Sequence, residues 1–140
     1  SDKKGLPILY PAYPHLRLFK DSFNHIKDNS NELHHVYNFG NKNIVNTPQG
    51  FSIKPIVLKA IYLLDTNNTT EILSLNPKKG LLALIRHSKT KISNPETQVK
   101  NLIQCSQIIN NVPVRCLKMS HSFKNLSNYV KLLEDDFLTI

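Results

Sequence analysis

The sequence predicts an α/β or α+β domain, a mixed β-sheet with helices packed at its C-terminal end, and three observations carry that expectation. Strand-like runs of branched and aromatic residues fill the chain from Leu6 to Leu64, whereas apolar residues at steps of three and four dominate the remainder of the chain. Asn76-Pro77 and Asn94-Pro95 each combine an N-cap side chain with a proline at the first helical position, where a missing N–H costs nothing. Between the last two helical stretches, Val112 to Met119 runs in near alternation of apolar and polar residues, as a strand does.

Leu6 to Tyr10 reads as a short strand. Pro11 and Pro14 then hold φ near ~−65° and push the residue before each into an extended conformation, so the chain bends stiffly into a second strand, Leu16 to Phe19. There Leu16 and Leu18 alternate with Arg17, which places Arg17 on the opposite face. Asp21 or Ser22 can cap a short helix carrying Phe23 and Ile26, which Asn29-Ser30-Asn31 ends. Leu33 to Phe39 and Asn43 to Thr47 form a hairpin around the turn Gly40-Asn41, with Lys42 close to its tip. Phe51 to Ile53 leads into the longest β-like run, Ile56 to Leu64, whose branched residues predict a central strand. The polar turn Asp65 to Thr70 comes next.

The helix after Asn76 carries Leu81, Leu82, Leu84 and Ile85, and the helix after Asn94 carries Val99, Leu102, Ile103, Ile108 and Ile109, spaced roughly as one apolar face. After the strand Val112 to Met119, in which Arg115 sits between Val114 and Cys116, a last helix from about Phe123 presents Leu126, Tyr129, Val130 and Leu133 at the same steps. No internal repeat or linker is evident, so residues 1–140 read as a single domain.

A chain of 140 residues buries a core without disulfide or metal staples. Cys105 and Cys116 show neither C-x-x-C nor zinc-ligand spacing and read as buried free thiols of a reduced compartment. No run approaches the ~18 apolar residues of a membrane span, and no charged-then-apolar leader opens the sequence, so a soluble, cytoplasmic protein with no membrane partner is expected. The formal charge of +8, from 18 Lys and Arg against 10 Asp and Glu, invites a nucleic-acid reading. The lysines are dispersed and only Arg17, Arg86 and Arg115 are arginines, which favours a solvated basic surface over a dedicated nucleic-acid face.

Arg17 is the first candidate for chemistry. Held at the end of a proline-stiffened bend, its planar fork can meet phosphate oxygens or a carboxylate, or it can fasten the bend by pairing with an acid such as Asp21. Lys42 at the hairpin tip is either a phosphate or substrate contact or a solvated turn lysine, and Lys54 and Lys59, flanking the β-like run, carry the same alternatives. The six histidines suggest no metal site: His34-His35 point to opposite faces of a strand, and His87 beside Arg86 suits a helix C-terminus. Glu134, Asp135 and Asp136 close the last helix where its dipole disfavours negative charge, which reads as a frayed, solvated end rather than a catalytic carboxylate pair. No serine or cysteine sits in a G-x-S-x-G elbow.

The stretch Tyr10-Pro11-Ala12-Tyr13-Pro14-His15-Leu16-Arg17-Leu18-Phe19-Lys20-Asp21-Ser22 resembles the "yP-x-yP-x-LRLw-x-D-S" segment of HPr-kinase-like proteins, ATP-dependent serine kinases related in fold to phosphoenolpyruvate carboxykinase. Lys54 to Leu64 is similar to the family's "plPLkaIYlL" strand, Gly80 to Ser88 to its "aLlaLlrHs" helix, and Gln107 to Met119 to its closing "vPvy" strand. These segments keep the family's order and touch almost the whole chain.

The resemblance implies the C-terminal half of a carboxykinase-type kinase domain, with Arg17 toward the phosphate or acceptor end. Lys42 falls near a basic position that the family often shows as Lys-Arg, although Asn43 replaces the second basic residue. The family's phosphate-binding loop, G-x-x-x-x-G-K-[ST], has no counterpart, since none of Gly5, Gly40, Gly50 and Gly80 opens one. ATP and Mg2+ are therefore expected only for a completed kinase and not for this chain alone. The implied partners are an N-terminal nucleotide-binding half or a second copy, and a small protein or peptide acceptor. A non-catalytic peptide- or protein-binding module derived from that fold is the alternative, and a basic nucleic-acid-binding domain stands behind it.

Overall fold

The computed structural model describes residues 5–29, 34–39, 41–46, 51–88, 94–120 and 122–140. In chain order the elements are β1 (Ile8–Leu9), β2 (His15–Phe19), α1 (Lys20–Asn29), β3 (His34–Phe39), β4 (Lys42–Asn46), β5 (Ile56–Val57), β6 (Ile61–Thr66), β7 (Glu71–Ser74), α2 (Pro77–His87), α3 (Pro95–Asn111), β8 (Val114–Met119), a 3-10 turn (Phe123–Asn125) and α4 (Leu126–Phe137). The fold is mixed, with small sheets and four helices among the described residues. Its contacts divide the chain into two compact units, Leu9–Ile56 and Ser1–Ile8 with Val57–Ile140.

In the unit Leu9–Ile56, β4 lies between β2 and β3, antiparallel to both. Central pairing buries Ile44 and Val45, on opposite faces of β4, and α1 adds the buried ring of Phe23. The expected hairpin is present, with Phe39 opposite Lys42 and a bulge between His35 and Tyr37. The helix begins at Lys20, so Asp21 lies in its first turn, where negative charge suits the dipole. It does not cap from outside; its carboxylate accepts from the Ser22 amide at 2.8 Å. The helix end at Ser30-Asn31, the strand start at Leu33, Gly40 and Thr47 lie outside the described residues.

The other unit is organised by β8, which pairs parallel with β6 and antiparallel with β7. This corrects the expectation that Ile56 to Leu64 is one central strand. Backbone bonding explains the break: the Leu58 amide donates to Pro7 at 2.9 Å and the Ile61 amide to Pro113 at 3.0 Å, so the two ends of the run serve different partners. β6 is an edge strand with an exposed Leu64, whereas Leu117 of β8 is only 1% exposed. Asp65 and Thr66, expected in a turn, finish β6, and the tetrad 67–70 turns into β7, a strand its short polar-flanked sequence hides.

Both asparagine caps are as read: Asn76 accepts from the Lys79 amide and Asn94 from the Glu96 amide, each at 2.9 Å, with proline following in both helices. α2 packs on β8 at the buried Gly80, where a Cβ would stand 3.4 Å from Val114 Cβ, the near edge of ordinary contact. α3 runs unbroken to Asn111. Cys105 is buried and Cys116 half-buried, both as free thiols, and burial pushes both above the usual thiol range.

α4 carries a second correction. Glu134 and Asp135 are exposed, but the Asp136 carboxylate is not a solvated end: it accepts from the Tyr62 hydroxyl at 2.6 Å and pairs with Arg115 at 2.8 Å. Tyr62 and Arg115 are register partners on β6 and β8, so they share one face of the sheet, and α4 packs there. An arginine half-buried among apolar strand residues needs a counter-charge, and the helix end supplies it despite its dipole. Arg115 Nε remains buried without a partner. Farther up α4, the buried Tyr129 bonds its hydroxyl to Ser120 Oγ at 2.7 Å and accepts from the Ser120 amide at 3.1 Å, tying the helix to the end of β8.

Outcomes are expected at two positions. Gly80→Ala should raise the melting temperature, because ~0.5–1 kcal/mol of helix propensity is gained and the added Cβ meets Val114 at ordinary contact distance. Gly80→Leu should lower it through overpacking of ~1–3 kcal/mol. Alkaline melting should expose the Tyr62 contact. Its phenol is pushed up to about 12 by burial and then by the Asp136 hydrogen bond. Because that lies above the ~10 of an unfolded tyrosine, its contribution is complete below pH ~10 and is lost as pH climbs toward ~12. Tyr62→Phe should flatten that fall, and curves of equal slope for the two proteins would disprove the coupling.

Candidate functional site

Alternation along β2 brings the first candidates together. His15, Arg17 and Phe19 occupy one face, and the register sets Arg17 opposite Ile44 and Phe19 opposite Lys42 on β4. Arg17 and Lys42 are therefore diagonal neighbours, with Cα atoms ~7–8 Å apart. The Lys42 ammonium lies 4.3 Å from the centre of the Phe19 ring, a cation–π contact that steers a flexible side chain along the sheet. Arg17 is exposed and Lys42 half-buried. Two cations at that spacing can contact one phosphate-sized anion, the guanidinium as a fork and the ammonium as a point charge.

The proline bend shapes the approach. The His15 amide donates to the Tyr13 carbonyl at 2.8 Å, closing a three-residue turn around Pro14. That turn lays the Tyr13 ring beside His15, with centroids 6.3 Å apart and planes 11° from parallel. Tyr13 also lines a groove of about 430 Å3 with Tyr10, Pro11, Phe51, Lys54 and Ile56. The backbone of Lys54 is fixed by Ser52, whose hydroxyl donates to the Lys54 carbonyl at 2.9 Å and accepts from its amide at 3.3 Å.

Arg17, Lys42 and Lys54 thus lie within one unit. Lys59 does not; it is an exposed residue between β5 and β6 in the other. The Asp21 carboxylate is engaged by the Ser22 amide and hydroxyl, at 2.8 and 3.5 Å. Sequence reasoning passed over Phe19, Tyr13 and Tyr10, although a signal existed: Tyr13, His15, Arg17 and Phe19 recur at every second position, which gathers ring and cation side chains on one face.

Arg17 and Lys42 have the charge and the spacing to contact a phosphate-sized anion. They do not fit a nucleotide cradle, which needs the glycine-rich nest and lysine the sequence lacks. Among the described residues no three His, Cys, Asp or Glu side chains gather as metal ligands, and no helix is long and apolar enough to cross a membrane. Comparison with protein-family profiles, with curated proteins and with solved structures yields no match to the chain.

Inorganic pyrophosphate should perturb the amide resonances of β2 and the start of β4 at millimolar concentration. Arg17→Ala and Lys42→Ala should each weaken that binding by ~10-fold, about 1.4 kcal/mol for one charge-assisted contact. Perturbations scattered over the chain's other lysines would dismiss the face as a specific site.

Proposed function

We propose that the chain is the acceptor-side, C-terminal half of an ATP-dependent serine kinase of the HPr-kinase-like type. The observation that carries this reading is the pairing of Arg17 and Lys42 on one face of β2 and β4, at the end of the bend that Pro11 and Pro14 stiffen. The segments that carry the resemblance support it, because they fall in the same order on β2, β5 with β6, α2 and β8. Phosphoryl transfer asks the protein chiefly to position groups and neutralise charge. Here the Arg17 fork binds two non-bridging oxygens and fixes their orientation, while Lys42, braced on Phe19, offsets the charge gathered there. Nucleotide and Mg2+ supply the transferable group and its metal, and the residues that hold them belong to the partner half.

Uncovered apolar surface supports a partner. On α3, Val99, Leu102 and Ile103 are exposed at one-face spacing, and on α4 Leu126, Val130 and Phe137 form an exposed stripe at steps of four and seven. The missing nucleotide cradle favours a second reading, a non-catalytic module that keeps the anion-binding face. The coding sequence upstream of Ser1 separates the two: an in-frame G-x-x-x-x-G-K-[ST] supports the kinase, and a complete reading frame without one supports the module.

In a kinase completed by its nucleotide half, Arg17→Lys keeps the charge and loses the fork, so turnover should fall by ~10-fold or more, about 1.4 kcal/mol, with the melting temperature unchanged. A lowered melting temperature with normal turnover of the folded fraction would make Arg17 a fastener of the bend.

A further inference from the structure

The groove formed by Tyr10, Tyr13, Phe51 and Lys54 has a composition that selects its occupant. Tyr10 and Tyr13 are 75% and 78% exposed, large rings that are ordered at little entropic cost because Pro11 and Pro14 already hold their backbone. Among the described residues lining the groove, Ser52 is the only polar side chain apart from Lys54 and the tyrosine hydroxyls, and its hydroxyl is engaged by its own loop. The floor therefore accepts an apolar or aromatic side chain, and its single cation accepts one carboxylate. The chain's net charge of +8 attracts acidic partners over basic ones. A nucleic-acid strand would ask for a succession of cations along its backbone, where the described residues of the groove offer one.

We infer that this groove docks an extended acidic peptide through an apolar or aromatic anchor among the three rings and a carboxylate at Lys54. The inference rests on the proposed function for the identity of that peptide as the phosphate acceptor. Tyr13 sets the register, since it lines the groove and also stacks on His15 of the anion-binding face. From Tyr13 to Arg17 the chain turns around Pro14 and runs extended only from His15, so the two residues stand closer than the ~13 Å that four extended residues would span at ~3.3 Å each. The anchor then lies within about four residues of the serine delivered to Arg17 and Lys42, and its carboxylate neighbour completes the motif.

The test is an array of degenerate nonapeptides with one fixed serine, probed with the labelled full-length chain. The expected result is selection of an aromatic or large aliphatic residue at one fixed position within about four residues of the serine, next to Asp or Glu. Tyr13→Ala should weaken the selected peptides by ~10-fold, and Lys54→Glu should exchange the acidic preference for a basic one, a gain that misfolding cannot imitate. Absence of positional selection, an unchanged preference in Lys54→Glu, or displacement of the peptides by poly(U) at low salt would each overturn the inference. No nucleotide enters this readout, so loss of phosphoryl transfer with intact selection would sink the kinase reading alone. Intact transfer without selection would sink the groove alone.

Discussion

The ordering of residues 57–140 depends on β8 being paired on both edges. Every other element of that unit is anchored to it or to an element beside it: β6 and β7 by backbone ladders, α2 through the close approach of Gly80 to Val114, α4 through Arg115 and Ser120. Burial of Leu117 at its centre, worth ~1.5–3 kcal/mol for such a side chain, is secured by those layers together. The Arg115–Asp136 pair works differently. Its charges largely offset their own desolvation, and what the pair adds is a defined seating for α4, with Tyr62 sharing the same carboxylate.

The unit Leu9–Ile56 solves a different problem with fewer buried residues. Its central strand is buried on both faces, which frees β2 to keep one exposed face for rings and cations. Proline stiffness and side-chain stacking substitute there for a deep core. Tyr13 is fixed by a turn and a ring neighbour, and Lys42 by the ring of Phe19. The Lys42 side chain, leaning on the Phe19 ring, has already given up part of its rotamer freedom.

What the sequence made legible was local. Asn76 and Asn94 were readable because an N-cap and a following proline act within one turn of chain. The hairpin, β2 and the same-face placement of Arg17 were readable because alternation needs only neighbouring residues. The parts that stayed hidden depend on residues far away in sequence. Whether Ile56 to Leu64 is one strand was decided by Pro7 and Pro113, and the state of Asp136 by Arg115 and Tyr62. Arg115 offered a hint, since a charge within an apolar strand requires a partner, but nothing local says that the partner closes the last helix. β7 was hidden for the same reason: four residues become a strand only because β8 offers them an edge. On the face of β2 and β4 that carries Arg17 and Lys42, the cations were visible singly, while the Phe19 ring under Lys42 was not.

The order in which the strands are made has a consequence for synthesis. β6 and β7 leave the ribosome first, yet neither is the other's neighbour; both pair with β8, which is translated after α2 and α3. Until it arrives, two apolar strands hold open backbone donors and acceptors with no native recipient, and the parallel pairing of Ile61 with Val114 must close a long loop. The nascent chain therefore passes through a window in which its sheet is all edges, the condition under which strands pair with the wrong chain. The antiparallel ladders of Leu9–Ile56 close shorter loops than the pairing of Ile61 with Val114 and are complete before that window opens. A chaperone that covers extended apolar segments would act on this protein in the interval between β7 and β8.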